Sequence, residues 1–389
     1  MIKIDIIGGG MGGLTLGIAL QKQGFSVQIF EQSSQLLPIG AGIIMASNAM
    51  QIAQKLGFSS EIRAQGNPLE IFGLADHRAR LLTVTDMATI HEKYGEATVA
   101  IHRGSLQQIL VNKLLPDSLK LAKKFQKFEI LEDQTIKTTF EDGSTSTANL
   151  LIASDGIRSR VRQQLFGEMP LRYATHTCWR GVVEATLENP KNAAELWAKT
   201  GGKRVAMIQI DKKRVYFYFT LKKQAGFRVP KQDLKAFFEN ELCEFPAVYA
   251  QTIGKVALEN VYQDDIYDLV PLKTWSSDNV LLMGDAAHAT TPNLGQGGCQ
   301  AIEDAYFFAE MLSNELKNAT PQYKTDFSPI LKRFEEKRRN KIKFVVDTSY
   351  QIGILSNVGG FMGHRLRNFL LRATPNRIAA QQFEKLFRL

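Results

Sequence analysis

The sequence predicts an α/β fold: a Rossmann-like domain that carries an inserted antiparallel sheet (an α+β insert) and is followed by C-terminal helices. An apolar strand, a glycine-rich turn and a helical pattern occupy residues 2–24, which is the opening of a βαβ unit. Two apolar strands flank a polar turn between residues 204 and 220, which favours an antiparallel hairpin. Helical spacing then continues from about residue 296 to the end of the chain.

Length and composition limit the possible classes of protein. The chain has 389 residues, 44% of them apolar, so it can form two or three structural units with a large core. The three cysteines (Cys178, Cys243 and Cys299) are too scattered for a disulfide framework, and no pair of residues has the spacing of a metal site. No uninterrupted run of about 18 apolar residues occurs. We therefore expect a cytoplasmic protein that binds no metal.

The net charge of +9 is concentrated at the C-terminal end. Residues 330–389 contain 13 Lys or Arg and four Asp or Glu, which leaves 35 of each sign in the rest of the chain. A basic tail can attract anionic membranes or nucleic acid, but a solvated helix face is the more common explanation. No nucleic-acid-binding motif is present, so nucleic acid is not an expected partner, and contact with a membrane is the less favoured interpretation.

The opening turn has the spacing of a dinucleotide-binding site. Gly8, Gly10 and Gly13 form a GxGxxG pattern between the first strand and the first helix. The tight turn, the approach of a pyrophosphate and the packing of helix on strand each require a missing side chain. Glu31 ends the next strand, where a carboxylate can accept hydrogen bonds from an adenosine ribose. The combination predicts a dinucleotide site, which fits NAD or FAD; a glycine-rich turn without a ligand is the alternative.

The following elements predict a discontinuous domain that the chain leaves and re-enters. Apolar patterns predict strands at 125–131, 135–140, 148–153 and 279–283, and helices at 103–114 and 159–166. The predicted division is a nucleotide-binding domain of residues 1–70, 100–170 and 273–325, a substrate domain of residues 71–99 and 171–272, and a helical segment of residues 326–389.

Two later segments resemble the signatures of a known enzyme family. LLIASDGIRSRVR (150–162) and VLLMGDAAHATTPNLGQGGCQAIEDA (280–305), together with the opening GxGxxG, are similar to the motifs of the single-component FAD-dependent aromatic hydroxylases, which have the p-hydroxybenzoate hydroxylase fold. The resemblance covers nearly the whole chain. It implies noncovalent FAD, reduction by NADH or NADPH, and hydroxylation of an aromatic ring through a flavin C4a-hydroperoxide. No second GxGxxG is present, so we expect the reductant to bind transiently.

The resemblance also implies roles for individual residues. It implies that Asp285 holds the ribityl chain, that Asp155 lies near the pyrophosphate and the path of the reductant, and that Arg103 in HRGSL contacts the flavin nucleotide.

A second glycine cluster predicts an anion-binding loop. The backbone N–H groups at Gly295, Gly297 and Gly298 precede or begin a predicted helix, which suits the negative charge of a reduced flavin. Pro292 stiffens the preceding turn, and ordinary loop glycines are the alternative. We interpret His288 as a packed, hydrogen-bonded imidazole, because nothing here requires a base.

The predicted hairpin is expected to contact the substrate. GGKRVAMIQIDKKRVYFYF resembles the FAD-dependent urate hydroxylases, which implies that Arg204 and Tyr216 are the catalytic residues that contact the substrate; the GQGGCQAIED segment also resembles zeaxanthin epoxidases. We expect a hydroxylase of a small aromatic or heteroaromatic molecule, with a urate-like ring as one candidate. The alternatives are an epoxidase of a lipophilic substrate, a flavin-dependent reductase and a non-catalytic flavin-binding protein. A halogenase is disfavoured because its WxWxIP motif is missing.

Loop length decides whether those two residues can act together. A three-residue loop at 211–213 places Arg204 and Tyr216 on one face of the sheet, about four residues or ~13 Å apart, whereas a two-residue loop places them on opposite faces. The alternative is that Arg204 is a surface residue and that most of the aromatic run 216–219 is core.

The tail contains a predicted amphipathic helix. Residues 331–346 carry Leu331, Phe334, Ile342 and Val345 at near-helical spacing. We expect this helix to pack on the nucleotide-binding domain with its basic face in solvent.

Overall fold

A computed structural model describes residues 2–36, 41–317, 326–374 and 384–389. The strands in these ranges are β1 (Lys3–Ile7), β2 (Ser26–Phe30), β3 (Gly42–Met45), β4 (Asn67–Pro68), β5 (Ile71–Asp76), β6 (Leu81–Asp86), β7 (Val99–His102), β8 (Leu119–Lys120), β9 (Phe125–Ile130), β10 (Ile136–Phe140), β11 (Thr145–Ala148), β12 (Leu150–Ala153), β13 (Leu171–Glu184), β14 (Asn192–Trp197), β15 (Lys203–Gln209), β16 (Arg214–Lys222), β17 (Tyr262–Leu269), β18 (Ser276–Ser277) and β19 (Val280–Leu282).

The helices in the same ranges are α1 (Met11–Lys22), α2 (Ser47–Leu56), α3 (Ser59–Gln65), α4 (Met87–Tyr94), α5 (Arg103–Val111), α6 (Arg160–Phe166), α7 (Leu234–Glu241), α8 (Ala247–Ile253), α9 (Asp285–His288), α10 (Gly297–Lys317), α11 (Ser328–Ser356) and α12 (Gly360–Ala373). The expectation of helix up to the last residue extends over 375–383, which lie outside the described residues.

A six-stranded sheet forms the centre of the nucleotide-binding part, with strand order β18-β19-β12-β1-β2-β8. β1 pairs in parallel with β2 and β12, and β12 pairs in parallel with β19. The central strands are buried and largely apolar; α1 packs on β1 and β2, and α10 packs on α1. The chain re-enters this sheet at β19 after the insert, so the predicted Rossmann-like α/β fold is confirmed.

The insert is a seven-stranded sheet with the order β17-β13-β16-β15-β14-β5-β6. Its neighbouring strands are antiparallel, except that β14 and β5 run parallel. One face packs under α7 and α8 through an aromatic cluster that includes Trp179, Phe217, Phe219 and Phe238. The other face carries the predicted substrate residues. β5 and β6 belong to this sheet, but the predicted domain boundaries stay a prediction.

The hairpin of β15 and β16 has a three-residue loop, the first of the two alternatives that the sequence left open. The Ile210 N–H donates to the Arg214 carbonyl at 3.0 Å, which leaves residues 211–213 as the loop. Arg204 lies opposite Thr220 and Tyr216 lies opposite Ile208. Arg204 and Tyr216 therefore share one face of the sheet and lie four residues apart along it.

The tail helix packs as predicted except at one charged residue. Leu331, Phe334, Ile342 and Val345 of α11 are buried in the core of the nucleotide-binding part. The expectation that the basic face lies in solvent is wrong for Arg338, which is buried. The reason is that α10 presents acidic groups to it, a contact that the apolar spacing of α11 cannot reveal.

Among the described helices, none combines the length and the apolar character that crossing a bilayer requires.

Candidate active site

The turn between β1 and α1 leaves space where a side chain would otherwise lie. Gly8 has a left-handed φ of +107°, and a Cβ there would lie 2.2 Å from the carbonyl oxygen of Ser154. A Cβ on Gly13 would lie 2.0 Å from the carbonyl oxygen of Gly8, so packing requires glycine at both positions. A Cβ on Gly10 would meet no protein atom within 4 Å. The space beside Gly10, at the N-terminus of α1, is therefore open to a phosphate group.

Glu31 closes this turn from the end of β2. Its Oε2 accepts a hydrogen bond from the backbone N–H of Gly9 at 2.7 Å, and its Oε1 accepts one from the N–H of Ser33 at 2.9 Å. Each carboxylate oxygen can accept a second hydrogen bond, so the group can hold the turn and still bind a ribose hydroxyl. Its role toward the ribose stays a prediction.

Asp155 follows β12 and caps the start of α6. Its Oδ2 accepts hydrogen bonds from the N–H groups of Arg160 at 2.9 Å and Val161 at 3.3 Å. Its Oδ1 is buried and has no hydrogen-bond partner among the described residues. Burial raises the pKa of Asp155. The cap fixes the carboxylate, and the unpartnered oxygen is available to a ligand; the predicted place near the pyrophosphate is not tested by these contacts.

Asp285 and Arg103 come from distant parts of the chain and lie near enough for their charges to interact. Both residues are exposed. Desolvation by nearby protein atoms raises the pKa of Asp285, and the charge of Arg103 opposes that rise. Burial and the neighbouring charge of Arg180 lower the pKa of Arg103. A Cβ on Gly297 would lie 3.9 Å from Asp285 Oδ1, so this carboxylate lies beside the second glycine cluster.

The second glycine cluster begins α10 with an open N-terminus. A 3₁₀ turn at Pro292–Leu294 leads into Gly295, which has a φ of +62° and where a Cβ would meet no atom within 4 Å. The helix that follows spans Gly297–Lys317, and its first N–H groups have no intrahelical acceptors. Thr290 Oγ1 is buried beside it without a partner among the described residues. The loop therefore fits a negatively charged or polar ligand edge.

Arg204 is buried on the inner face of the inserted sheet and is held there by two hydrogen bonds and an ion pair. Its Nε donates to Thr220 Oγ1 at 3.0 Å, and its Nη1 donates to Asn293 Oδ1 at 2.7 Å. The same Nη1 lies 3.5 Å from Glu195 Oε1, and the side chain is only 2% exposed. The alternative of a surface strand residue is therefore wrong. Because Asn293 belongs to the turn before Gly295, this guanidinium is connected directly to the second glycine cluster.

Tyr216 lies further along the same face, against β3. A Cβ on Gly42 would lie 2.5 Å from the Tyr216 ring, so the ring packs on that glycine. Burial raises the pKa of Tyr216, which keeps the phenol neutral. Tyr218 lies between Tyr216 and Arg204 on this face, with the two tyrosine ring centroids 6.0 Å apart. Arg204 and Tyr216 line one face without touching each other, and their catalytic roles stay a prediction.

Sequence reasoning missed the carboxylate that accompanies Arg204. Glu195 Oε2 accepts a hydrogen bond from the Tyr218 hydroxyl at 2.7 Å, and Oε1 accepts one from Trp197 Nε1 at 2.5 Å. Glu195 is 6% exposed. An acidic residue within the otherwise apolar strand β14 was a usable signal, because a buried carboxylate needs partners. Asn293 carried no comparable signal.

His288 is the packed imidazole that the sequence predicted. Its Nε2 lies 2.6 Å from Asp304 Oδ2, and its ring lies 5.1 Å from that of Trp275. Burial acts to raise the pKa of Asp304, but the charges of His288 and Arg338 lower it to about 2. The group holds α9 against α10 and α11 and supports the turn that presents Asp285.

Comparisons with known proteins agree with this geometry. The chain matches the family described as "FAD binding domain" over residues 1–349. It is 33% identical to the aurachin C monooxygenase/isomerase of Stigmatella aurantiaca, covering 90% of this chain and 89% of the relative. It is 30% identical to the 2-heptyl-3-hydroxy-4(1H)-quinolone synthase of Pseudomonas aeruginosa, covering 99% and 98%.

The fold is similar to that of solved flavoproteins. Klebsiella pneumoniae HpxO complexed with FAD and uric acid superposes with a TM-score of 0.88 at 25% identity, covering 99% of this chain and 96% of the other. The 2,6-dihydroxypyridine-3-hydroxylase of Arthrobacter nicotinovorans superposes with a TM-score of 0.74 at 19% identity, covering 92% and 94%, which concerns the fold alone.

Proposed function

The chain belongs to the FAD binding domain family of FAD-dependent monooxygenases, and from this premise we propose that it uses NADH or NADPH and O2 to hydroxylate a carbonyl-bearing heteroaromatic ring. One observation carries the proposal. The buried pair of Arg204 and Glu195 on the inserted sheet is joined through Asn293 to the glycine cluster that we assign to the flavin edge. Substrate-orienting groups and the cofactor loop therefore form one connected unit.

The residues present fit FAD along the length of such a cofactor. The open space at Gly10, the carboxylate of Glu31 and the unpartnered Asp155 Oδ1 suit the adenosine and pyrophosphate end. Arg103 and Asp285, whose opposite charges interact, suit the ribityl and phosphate groups. When bound, FAD supplies the redox chemistry that accepts electrons from the nicotinamide and activates O2. The protein's own groups bind, orient and exclude water.

The charges around Arg204 favour a neutral substrate over an anion. Glu195 already balances the guanidinium, and two of its donors are bound to Thr220 and Asn293. An anionic substrate would place a second negative charge next to Glu195 in a dry environment, which is unfavourable. A ring carbonyl needs only a hydrogen bond. A quinolone-like ring is therefore our first candidate, since one relative is named for such a product, and a urate-like ring is the second.

The test is a substrate panel with the purified holoprotein. The flavin spectrum is recorded first, and oxidation of NADH and NADPH is then measured with 4-quinolones, urate and salicylate, together with mass analysis for one added oxygen atom. We expect a neutral carbonyl-bearing ring to stimulate oxidation and to gain one oxygen. Stimulation by salicylate alone would contradict the assignment of substrate class. Bound FAD without any oxygenated product from the panel would contradict the proposed reaction.

A further inference from the structure

The C-terminal helix α12 presents its apolar side to solvent. Five large apolar residues of this helix are highly exposed: Phe361 (65%), Met362 (79%), Leu366 (61%), Phe369 (66%) and Leu370 (55%). The side that faces the protein carries His364, Arg367 and Asn368, which are buried. An ordinary surface helix has the opposite arrangement, with its apolar stripe on the core. The orientation of α12 therefore exposes a hydrophobic patch to water, which is unfavourable unless another surface covers it.

Specific contacts fix this orientation. Arg367 donates to the carbonyl oxygens of Val358 at 2.8 Å and Ala198 at 3.1 Å. Its guanidinium also lies over the ring of Trp197, 5.2 Å from the centroid. These contacts attach the polar side of α12 to the end of β14. Rotating the helix to bury its apolar side would break these contacts and take the arginine donor away from the carbonyl oxygens of Val358 and Ala198.

The charge around the patch indicates what covers it. The 14 residues of α12 contain no Asp or Glu. Arg365 is exposed and lies over the ring of Phe361 at 4.3 Å, and Arg372 is about half exposed, with one guanidinium nitrogen 3.8 Å from the buried Asp76 Oδ2. Two copies of this helix packed face to face would bring these arginines toward each other. An anionic lipid surface instead accepts both the apolar side chains and the flanking cations.

We propose that α12 docks the protein on an anionic membrane surface, lying in the interface with Phe361, Met362, Leu366, Phe369 and Leu370 among the lipids. Lying in an interface needs no helix that spans the bilayer. The position of the patch is also informative: α11 ends just before α12, and its Ile354 and the adjoining Asn357 line a cavity of about 80 Å³ that contains Arg204. Docking would hold that cavity close to the lipid surface. The proposal does not depend on the identity of the substrate.

Vesicle co-sedimentation of the FAD-loaded full chain tests the proposal. Phosphatidylcholine vesicles are compared with vesicles that contain about one third phosphatidylglycerol, at physiological salt. We expect the wild type to bind the anionic vesicles, and Phe361→Ser/Phe369→Ser to lower the partition coefficient at least about fivefold. Arg365→Gln should lower binding to the anionic vesicles in particular. Leu115→Ser is the matched control, because Leu115 is 60% exposed but lies away from α12, and it should bind like the wild type.

Two further measurements test whether the double variant is folded and whether copies of the protein associate through the patch. The flavin content and the turnover of a water-soluble substrate should be unchanged in the double variant, which shows that it is folded. Sedimentation velocity without lipid reports association between copies. Absence of binding by the wild type to anionic vesicles would overturn the proposal. A dimer that dissociates in Phe361→Ser/Phe369→Ser while vesicle binding is unaffected would also overturn it, because a second copy would then cover the patch.

Discussion

The side chains of Arg204 and Glu195 form a buried ion pair whose main effect is that neither charge is buried without a partner. Removing one partner of such a pair leaves an uncompensated charge, whereas the intact pair contributes little to stability on its own. Here both partners are also hydrogen-bonded, to Thr220 and Asn293 on one side and to Trp197 and Tyr218 on the other. The pair therefore fixes the position of one charged donor beside the cofactor loop, as orientation of a ring requires.

Replacing Arg204 with Gln tests that donor. We expect Arg204→Gln to keep FAD bound, because no FAD-contacting group is removed, and to lower kcat/KM by the equivalent of about 2–4 kcal/mol. Arg204→Lys is the control that keeps the charge without the planar geometry, and it should be intermediate. The measurement is the steady-state kcat/KM of each variant, with its flavin content determined in parallel. Unchanged turnover in Arg204→Gln would show that Arg204 does not orient the substrate.

Replacing Glu195 with Gln tests the preference for a neutral substrate. The amide keeps a similar shape and retains one acceptor, but it leaves the charge of Arg204 unbalanced. We therefore expect Glu195→Gln to raise kcat/KM for an anionic ring relative to a neutral one by about tenfold, which corresponds to about 1.4 kcal/mol. The ratio for urate against a 4-quinolone is the measurement. An unchanged ratio would mean that Glu195 does not select charge.

Gly10 and Asp285 test the cofactor site at its two ends. A Cβ at Gly10 meets no protein atom within 4 Å, so we expect Gly10→Val to fold with its side chain in the open space beside α1. We expect Gly10→Val to lose most of its FAD. Asp285→Ala should weaken FAD binding by about 1 kcal/mol, or about fivefold in Kd, because one hydrogen bond is lost. Flavin absorbance after purification and titration of the apoprotein measure both effects. Full occupancy in both variants would show that the site is elsewhere.

At the scale of elements, the sequence pattern predicted the features that depend on residues close together in the chain. The alternation of β15 and β16 reduced the position of Tyr216 to two alternatives that depend on loop length, and the structure has the three-residue loop that places Arg204 and Tyr216 on one face. The apolar positions of α11 were likewise readable from their spacing. The inward position of Arg338 could not be predicted from the spacing, because its partners Glu303 and Asp304 lie on another helix. A charged residue considered by itself is expected in solvent.

The network around Arg338 should make α11 a stability element. Its Nε donates to Asp304 Oδ1 and its Nη1 to Glu303 Oε2, both at 2.7 Å. Arg338→Met leaves two buried carboxylates short of a partner, so we expect the free energy of unfolding to fall by about 3–5 kcal/mol. Lys332→Met, at an exposed position of the same helix, is the control and should change it little. Urea unfolding of the holoprotein measures both; equal effects would show that the network adds nothing specific.

At the scale of the whole molecule, the sequence predicted the parts more fully than their contacts. The motifs placed a dinucleotide turn and a second glycine cluster in the nucleotide-binding part, and the βαβ opening predicted the parallel pairing of the first two strands, which the structure has. The link between Arg204 and Asn293 depends on how the inserted sheet packs over that part, which no local pattern encodes. The outward apolar face of α12 was hidden for the same reason: its hydrophobic spacing is ordinary, and only tertiary contacts of Arg367 show which side faces the protein.

Because the proposed cofactor cradle includes the starts of α1, α6, α9 and α10, FAD should stabilise the molecule as a whole. A ligand that binds only the folded chain adds about 2.7 kcal/mol at roughly 100 times its Kd. We expect excess FAD to raise the Tm of the apoprotein, with β-sheet and helix signals moving together. Asp285→Ala should show a smaller rise at the same FAD concentration, and Arg204→Gln a rise like that of the wild type. FAD could instead raise the melting temperature of the nucleotide-binding part and leave that of the inserted sheet unchanged. That result would show that the Arg204–Asn293 contact does not couple the two parts, and it would contradict the proposal of a single connected site.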